Sequence, residues 1–136
     1  MFAIYNLKTP ELLAQHLADL TLCLRASAHT SVFSSKSEAE QREMLESLIV
    51  GNGVILKAFD QRSGRTQGLL AAEVRNGNEF GVLELWIDPA AEARLPQLIF
   101  DQLKREVAKR EYKAVYCNSD WYLSVQNTAI QDLFTM

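Results

Sequence analysis

Val82-Leu83-Glu84-Leu85-Trp86-Ile87 is an apolar strand that runs into Asp88-Pro89, a short polar loop and, from Pro96 onward, a long amphipathic helix. A loop between a strand and a helix N-terminus is where α/β folds bind phosphates, because backbone N–H groups and the helix dipole converge there on an anion. The loop in this chain, residues 90–97, contains no glycine. The stretch therefore predicts the architecture of a phosphate site, built on a loop whose residue types are unusual for one.

The composition is that of one ordinary globular domain over residues 1–136, with 48% hydrophobic and 23% charged residues. A net charge of −3 argues against binding to nucleic acid or to an anionic membrane surface, since both need a basic patch. No apolar run approaches the ~18 residues of a membrane span, and the N-terminus carries no export signal. We therefore expect a cytoplasmic protein whose two cysteines, Cys23 and Cys117, are buried free thiols.

Two helices are predicted ahead of the first strand. Thr9-Pro10-Glu11 is a helix start, with an N-cap residue, a proline at the first helical position and an acid near the positive end of the dipole. Leucines then recur at helical spacing to about Arg25. Ser37-Glu38-Ala39-Glu40 is a capping box that begins the second helix, and Gly51-Asn52-Gly53 ends it.

Three strands follow, at residues 54–60, 66–76 and 79–88. Short turns separate them, and the second turn carries Asn76-Gly77, a strong hairpin signal. These strands should form an antiparallel meander, so the predicted element order begins with two helices and continues with three hairpin-linked strands.

A helix from Pro96 to about Glu111 leads to a fourth strand at 113–118, and a last helix is predicted over 123–134. Parallel pairing needs a crossover of this kind, so the fourth strand should lie parallel to the third. The expected fold is α/β, a mixed and mostly antiparallel sheet flanked by helices, with a gap where the pairing changes direction. The crossover helix should turn four apolar residues to the sheet and four cations to solvent: Leu98, Ile99, Leu103 and Val107 inward, Lys104, Arg105, Lys109 and Arg110 outward.

This order, with Gly68 opening the second strand and Leu85-Trp86-Ile87-Asp88-Pro89 closing the third, resembles the GNAT superfamily of N-acetyltransferases. The resemblance implies transfer of an acetyl or other acyl group from coenzyme A to an amine on a small molecule or a protein. In that family a V-x-P-like strand end precedes an arginine- and glycine-rich loop, whose amides hold the coenzyme A pyrophosphate. Ile87-Asp88-Pro89 fits the strand end, but the loop positions hold neither arginine nor glycine: Glu92, Ala93, Leu95 and Gln97.

A second family motif falls in the last predicted helix, where Asn127, Ile130 and Phe134 stand at the family's spacing of asparagine, apolar residue and tyrosine. The tyrosine commonly serves as general acid, and Phe134 has no hydroxyl with which to do so. The chain ends at Met136, where the family adds two strands, so we expect the fold to lack them. The exposed edge of the fourth strand would then favour a homodimer.

Glu84 is the candidate catalytic residue. A carboxylate in the middle of a sheet strand is costly to bury unpaired, and it could act as the general base that takes the proton of an acceptor amine. The alternative is a structural acid that is paired or partly solvated. Regular alternation places Glu84 on one face with Val82 and Trp86, and the other three residues of the strand on the opposite face. Glu73, in the neighbouring strand, is a second candidate.

The resemblance assigns further residues to coenzyme A. Trp86 and Ile87 would offer backbone groups to the pantetheine arm, and Arg94, Gln97 and Asn127 would lie near the rest of the cofactor. No metal is expected, because the two histidines stand apart from other ligand residues. Two functions stay open. The first is an acyl-coenzyme A-dependent transferase. The second is a non-catalytic binding or assembly protein, because short GNAT-like chains also resemble some bacteriophage proteins.

Overall fold

The computed structural model describes residues 2–26, 33, 36–112 and 114–117. Over these residues the elements follow one another as β1 (Phe2–Asn6), α1 (Pro10–Ala26), α2 (Glu38–Val50), β2 (Val54–Asp60), β3 (Thr66–Arg75), β4 (Glu79–Ile87), α3 (Leu95–Arg110) and β5 (Ala114–Cys117). The strands form one sheet in the order β1-β2-β3-β4-β5. Pairing is antiparallel from β1 to β4 and parallel between β4 and β5. The mixed, mostly antiparallel sheet predicted from the sequence is confirmed.

The first strand was not predicted, because the expected order began with a helix. β1 pairs with β2 from Phe2–Asp60 to Asn6–Leu56, and it forms an edge of the sheet. Its residues, Phe-Ala-Ile-Tyr-Asn, do not alternate between apolar and polar side chains, which is the pattern that identifies a half-buried strand. Its conformation depends on hydrogen bonds to β2, which lies some fifty residues later in the chain. The sequence of residues 2–6 alone does not indicate that pairing.

The helix starts do follow the local signals. Thr9 accepts a hydrogen bond at Oγ1 from the amide of Leu12 (3.2 Å), as an N-cap residue does. Ser37 and Glu40 form the predicted capping box, each side chain accepting from the backbone N–H of the other. The β3–β4 turn is also as expected, since Asn76 and Gly77 both take positive φ angles of 54° and 76°.

Two apolar cores lie on opposite faces of the sheet. α3 covers one face with five buried residues: Leu95, Pro96, Ile99, Phe100 and Leu103. α1 and α2 cover the other, where Leu13, Leu20, Leu45 and Leu48 pack on Ile55 and Leu69. The predicted inward face of α3 was therefore partly wrong, because Phe100 takes the buried position and Leu98 is only half-buried.

Arg110, predicted to face solvent, packs at the end of α3 instead. Its guanidinium lies over the rings of Phe80 (5.0 Å) and Tyr112 (5.5 Å) and donates to the carbonyl oxygen of Asn52. A guanidinium group is more weakly hydrated than an ammonium group and stacks on aromatic faces. Together with the hydrogen bond to Asn52, this stacking joins the α2–β2 connection to the end of α3.

Candidate functional site

The parallel pairing of β4 with β5 covers only part of β4. It runs from Glu79–Ala114 to Val82–Cys117 and goes no further within the part of the chain that the structure describes. The remaining half of β4, residues 83–87, has no described neighbour on that side. The gap that was predicted at this change of pairing direction depends on residues after Cys117, which lie outside the described part of the chain.

A β-bulge lies at the same point of β4. On the β3 side Ala72 pairs with Val82 and Ala71 pairs with Glu84, which leaves Leu83 as an extra residue in β4. A bulge of this kind bends the strand and changes the side-chain alternation after it. It therefore separates the part of β4 that ends at Val82 from the part that leads into the β4–α3 connection.

The bulge corrects the predicted faces of β4. Glu84 and Trp86 do share a face, but Val82 does not lie with them, and Leu83 does. The α3 face holds Val82, Leu85 and Ile87, whereas the α1–α2 face holds Leu83, Glu84 and Trp86. Regular alternation gave the wrong answer because one inserted residue moves its neighbours to the opposite face.

Glu84 is buried to 1% exposure, directly after the bulge. It lies opposite Ala71, whose methyl group leaves room above the sheet on the α1–α2 face. Buried carboxylates are rare in proteins because desolvating them is costly. The structure therefore puts this side chain away from bulk water, immediately after the bulge.

Glu73 lies on the same face but in a different environment. It is half-exposed and forms an ion pair with Arg75 at 3.0 Å. It borders a cavity of about 650 Å³ between α2 and the β3–β4 pair, together with Leu83 of the bulge. Three glutamates and one lysine line this cavity, namely Glu40, Glu43, Glu73 and Lys36. The cavity thus has an acidic wall and reaches the strand that carries Glu84.

At its other end, β4 passes into α3 through a short connection that Asp88 organises. Asp88 is 6% exposed, and its amide donates to the carbonyl oxygen of Gln67, continuing the β3–β4 ladder by one residue. Its carboxylate accepts from the amide of Ala90 at 2.9 Å and lies 3.3 Å from Nε of Arg65. These contacts hold the strand end and the loop in one arrangement.

The backbone of this connection needs no glycine. The amide of Ala91 donates to the Asp88 carbonyl and that of Leu95 to the Glu92 carbonyl, as in two successive turns. No residue from 88 to 95 has a positive φ angle. Within the described residues, the amides of Glu92 and Ala93 make no hydrogen bond. Two exposed N–H donors therefore precede α3, despite the side chains that replace the expected glycines.

Arg94 and Gln97, the two side chains of this loop that were assigned to the cofactor, both contact acids. Nε of Arg94 lies 2.7 Å from the carboxylate of Glu92. Nε2 of Gln97 donates to the carboxylate of Asp101 at 2.8 Å, one turn further along α3.

Comparison with known proteins now bears on this arrangement. No protein-family model matches the sequence, and no curated protein matches it at a significant level. Solved structures do match. The aminoglycoside N-acetyltransferase AAC(6')-Iy, solved in complex with coenzyme A, aligns with a TM-score of 0.71 at 10% identity, over 98% of this chain and 86% of its own.

Two further acetyltransferase structures also match this chain. Glucosamine-6-phosphate N-acetyltransferase from Arabidopsis thaliana has a TM-score of 0.67 at 15% identity, over 100% of this chain and 91% of its own. A Trypanosoma brucei acetyltransferase has a TM-score of 0.64 at 15% identity, over 88% and 83%. This chain has the GNAT acetyltransferase fold. At these identities the likeness concerns the fold alone, and it confirms the fold that the sequence resemblance implied.

Within this GNAT fold, Trp86 is half-buried against the α1–α2 core and borders a second cavity of about 570 Å³. The cavity lies between α1, the β2–β3 turn and the end of β4. Cys23 of α1 lines it and is buried, and burial is the main reason that its pKa is raised to about 12. The thiol therefore stays protonated at neutral pH, so this cysteine is the inert buried thiol that was predicted.

A charged cluster beside that cavity was missed by the sequence analysis. Lys57 of β2 is 4% exposed, and its Nζ donates to Oδ2 of Asp19 at 2.7 Å and to Nδ1 of His16 at 3.0 Å. The ring of Tyr5 packs on His16 at 5.5 Å. Lysine within an apolar strand, and His16 three residues before Asp19 on α1, were the available signals. Only the packing of α1 on the sheet brings them together.

His16 should make stability depend on pH. Its pKa is lowered from 6.5 first by burial and then by the Lys57 ammonium, with Asp19 acting in the opposite direction. The unfolded chain therefore binds a proton more readily than the folded one, and stability is lost as the pH falls below about 6.5. We expect urea midpoints that decline from about pH 8 to pH 5, and a weaker decline in His16→Gln. Equal slopes in the two proteins would show that another group causes the dependence.

The remaining predictions fall on other parts of the chain. Asn127, Ile130 and Phe134, and the predicted helix 123–134, lie outside the described residues. Among the residues described, no three His, Cys, Asp or Glu side chains come together as a metal site would require. None of the described helices combines the length and apolar composition of a bilayer-spanning segment.

Proposed function

We propose that this protein is a coenzyme A-dependent N-acyltransferase in which Glu84 is the general base. The observation that carries the proposal is the position of Glu84, which is buried directly after the bulge at Leu83, on the face of β4 where Leu83 borders the cavity between α2 and the β3–β4 pair. A carboxylate withdrawn from water next to a residue that borders a cavity is suited to take a proton from an amine bound there.

The residues present fit coenzyme A in two places. We assign the main-chain groups of Trp86 and Ile87, at the end of β4, to an extended pantetheine arm, which would add to the strand as a further strand does. The amides of Glu92 and Ala93, with the positive end of the α3 dipole, suit a pyrophosphate. The backbone at Glu92 and Ala93 has no positive φ angle, so it does not require glycine, and both residues keep their amide N–H donors.

Coenzyme A, when bound, would supply an acyl group as a thioester; attack by a neutral amine would form the amide C–N bond as the C–S bond breaks, and coenzyme A would leave as its thiol. Amines are largely protonated at neutral pH, so a proton must be removed, and we assign that role to Glu84. We assign the acceptor to the cavity between α2 and β3–β4, which Leu83 borders. Its three glutamates against one lysine favour a cationic amine over an anionic one.

The test is calorimetric titration with acetyl-coenzyme A, followed by measurement of thiol release in the presence of a panel of primary amines. Micromolar binding with amine-dependent thiol release would support the transferase. Binding without release for any amine would favour the non-catalytic protein that the sequence left open. No binding at millimolar acetyl-coenzyme A would contradict the proposal.

A further inference from the structure

Two arginines flank the β4–α3 connection, and carboxylates of that connection hold both. Arg65 pairs with Asp88, and Arg94 pairs with Glu92. The two carboxylates differ in exposure. That of Asp88 is 7% exposed and also accepts from the amide of Ala90, so it belongs to the structure of the loop. That of Glu92 is 50% exposed and that of its partner Arg94 is 69% exposed, so this pair can open without disturbing the fold.

The Glu92–Arg94 pair lies where an anion would bind. Arg94 is the N-cap residue of α3, but its side chain makes no capping hydrogen bond. Its guanidinium instead pairs with the Glu92 carboxylate, with 2.7 Å between Nε and Oε2. The amide of Glu92 is one of the two N–H donors before the helix that make no hydrogen bond within the described residues. A carboxylate near a helix N-terminus is favourable by itself, since it meets the positive end of the dipole. It therefore occupies the same electrostatic position as a phosphate.

We propose that Glu92 is an internal competitor for the phosphate site, which lowers the affinity of the protein for pyrophosphate-bearing ligands by holding Arg94. This inference rests on the proposed function for the identity of the ligand. A bound pyrophosphate gains the guanidinium of Arg94 only after Glu92 releases it, and it also meets the negative charge of Glu92. Glu92 thus weakens the binding of a pyrophosphate at this site, whereas the amides and the guanidinium of Arg94 attract it.

The experiment compares Glu92→Gln with Glu46→Gln by titration with coenzyme A. Glu46 is the matched control, because it forms a similarly exposed pair with Arg42 at 3.2 Å on α2. We expect Glu92→Gln to bind coenzyme A about two- to fivefold more tightly than the unmodified protein, the scale of one exposed charge pair. Glu46→Gln should be unchanged. The gain should shrink at high salt and be absent for pantetheine, which has no phosphate.

Adding Arg94→Gln to Glu92→Gln should remove most of the gain. Three results would contradict the proposed competition by Glu92. They are unchanged or weaker coenzyme A binding by Glu92→Gln, an equal gain in affinity in Glu46→Gln, and an equal gain in affinity for pantetheine. Inorganic pyrophosphate separates this inference from the proposed function. If coenzyme A binds none of the proteins, the transferase proposal fails, but tighter pyrophosphate binding by Glu92→Gln would still support the competition. If pyrophosphate binding is equal or absent in both proteins, the competition fails too.

Discussion

Glu84→Gln lowers the rate of amine-dependent thiol release by at least about a hundredfold, because a general base contributes on that scale. Glutamine keeps the size of the side chain but cannot accept a proton from an ammonium group. The affinity for acetyl-coenzyme A should change little, since the cofactor is assigned to the backbone edge of β4 and to the α3 N-terminus. The measurement is steady-state kinetics with the most active amine of the panel, together with calorimetry of cofactor binding.

Glu79→Gln is the matched control for this experiment. Glu79 is also a buried carboxylate of β4, 4% exposed, but it accepts from Asn76 at the far end of the strand. Its variant should retain the rate within about a factor of two, provided that thermal melting shows both variants to be folded. A Glu84→Gln enzyme with unchanged turnover would remove Glu84 from the mechanism and leave it as a structural acid.

Gly53→Ala destabilises the protein by about 2–3 kcal/mol, the usual cost of forcing extra volume into a packed site. A Cβ at Gly53 would lie 2.6 Å from the carbonyl oxygen of Ala72 and 2.9 Å from that of Leu48. Both contacts are to backbone, so no side-chain rotation can relieve them. Gly53 joins α2 to β2, and relief would require α2 to move off the sheet. Urea unfolding monitored by circular dichroism measures the change.

Gly51→Ala provides the comparison two residues earlier. Its Cβ would come no closer than 3.3 Å to the carbonyl oxygen of Ser47, and its φ angle of −84° suits any residue. We expect a change within about 1 kcal/mol. If the two alanine variants had equal stability, the close approach of the α2–β2 connection to β3 would be wrong.

Local sequence signals account for most element boundaries. The N-cap at Thr9, the capping box at Ser37 and the turn at Asn76-Gly77 each act over a few residues, and each appears where it was predicted. The parallel placement of β5 also follows from sequence, since a helix of crossover length separates it from β4. These features depend on contacts within a short segment or on the length of a connection.

The functional positions were predicted less completely. Glu84 was identified as an uncommon acid in a sheet strand, and its burial is confirmed. Its position after a bulge could not be foreseen, because a bulge reflects how β3 and β4 fit together. In the same way, the backbone path from Asp88 to Leu95 decides whether a glycine-free loop keeps amide donors, and residue types alone do not specify that path.

The sequence by itself determined α1, α2 and α3, the β3–β4 turn and the order of the strands from β2 to β5, because short-range hydrogen bonds and periodic burial depend on residues that are close together in the chain. Tertiary structure alone decided that β1 joins the sheet, that Lys57 meets Asp19 and His16, and which face Glu84 occupies. Those outcomes depend on contacts between residues far apart in the chain. Such contacts are selected by the packing of whole elements, and no single segment contains the information.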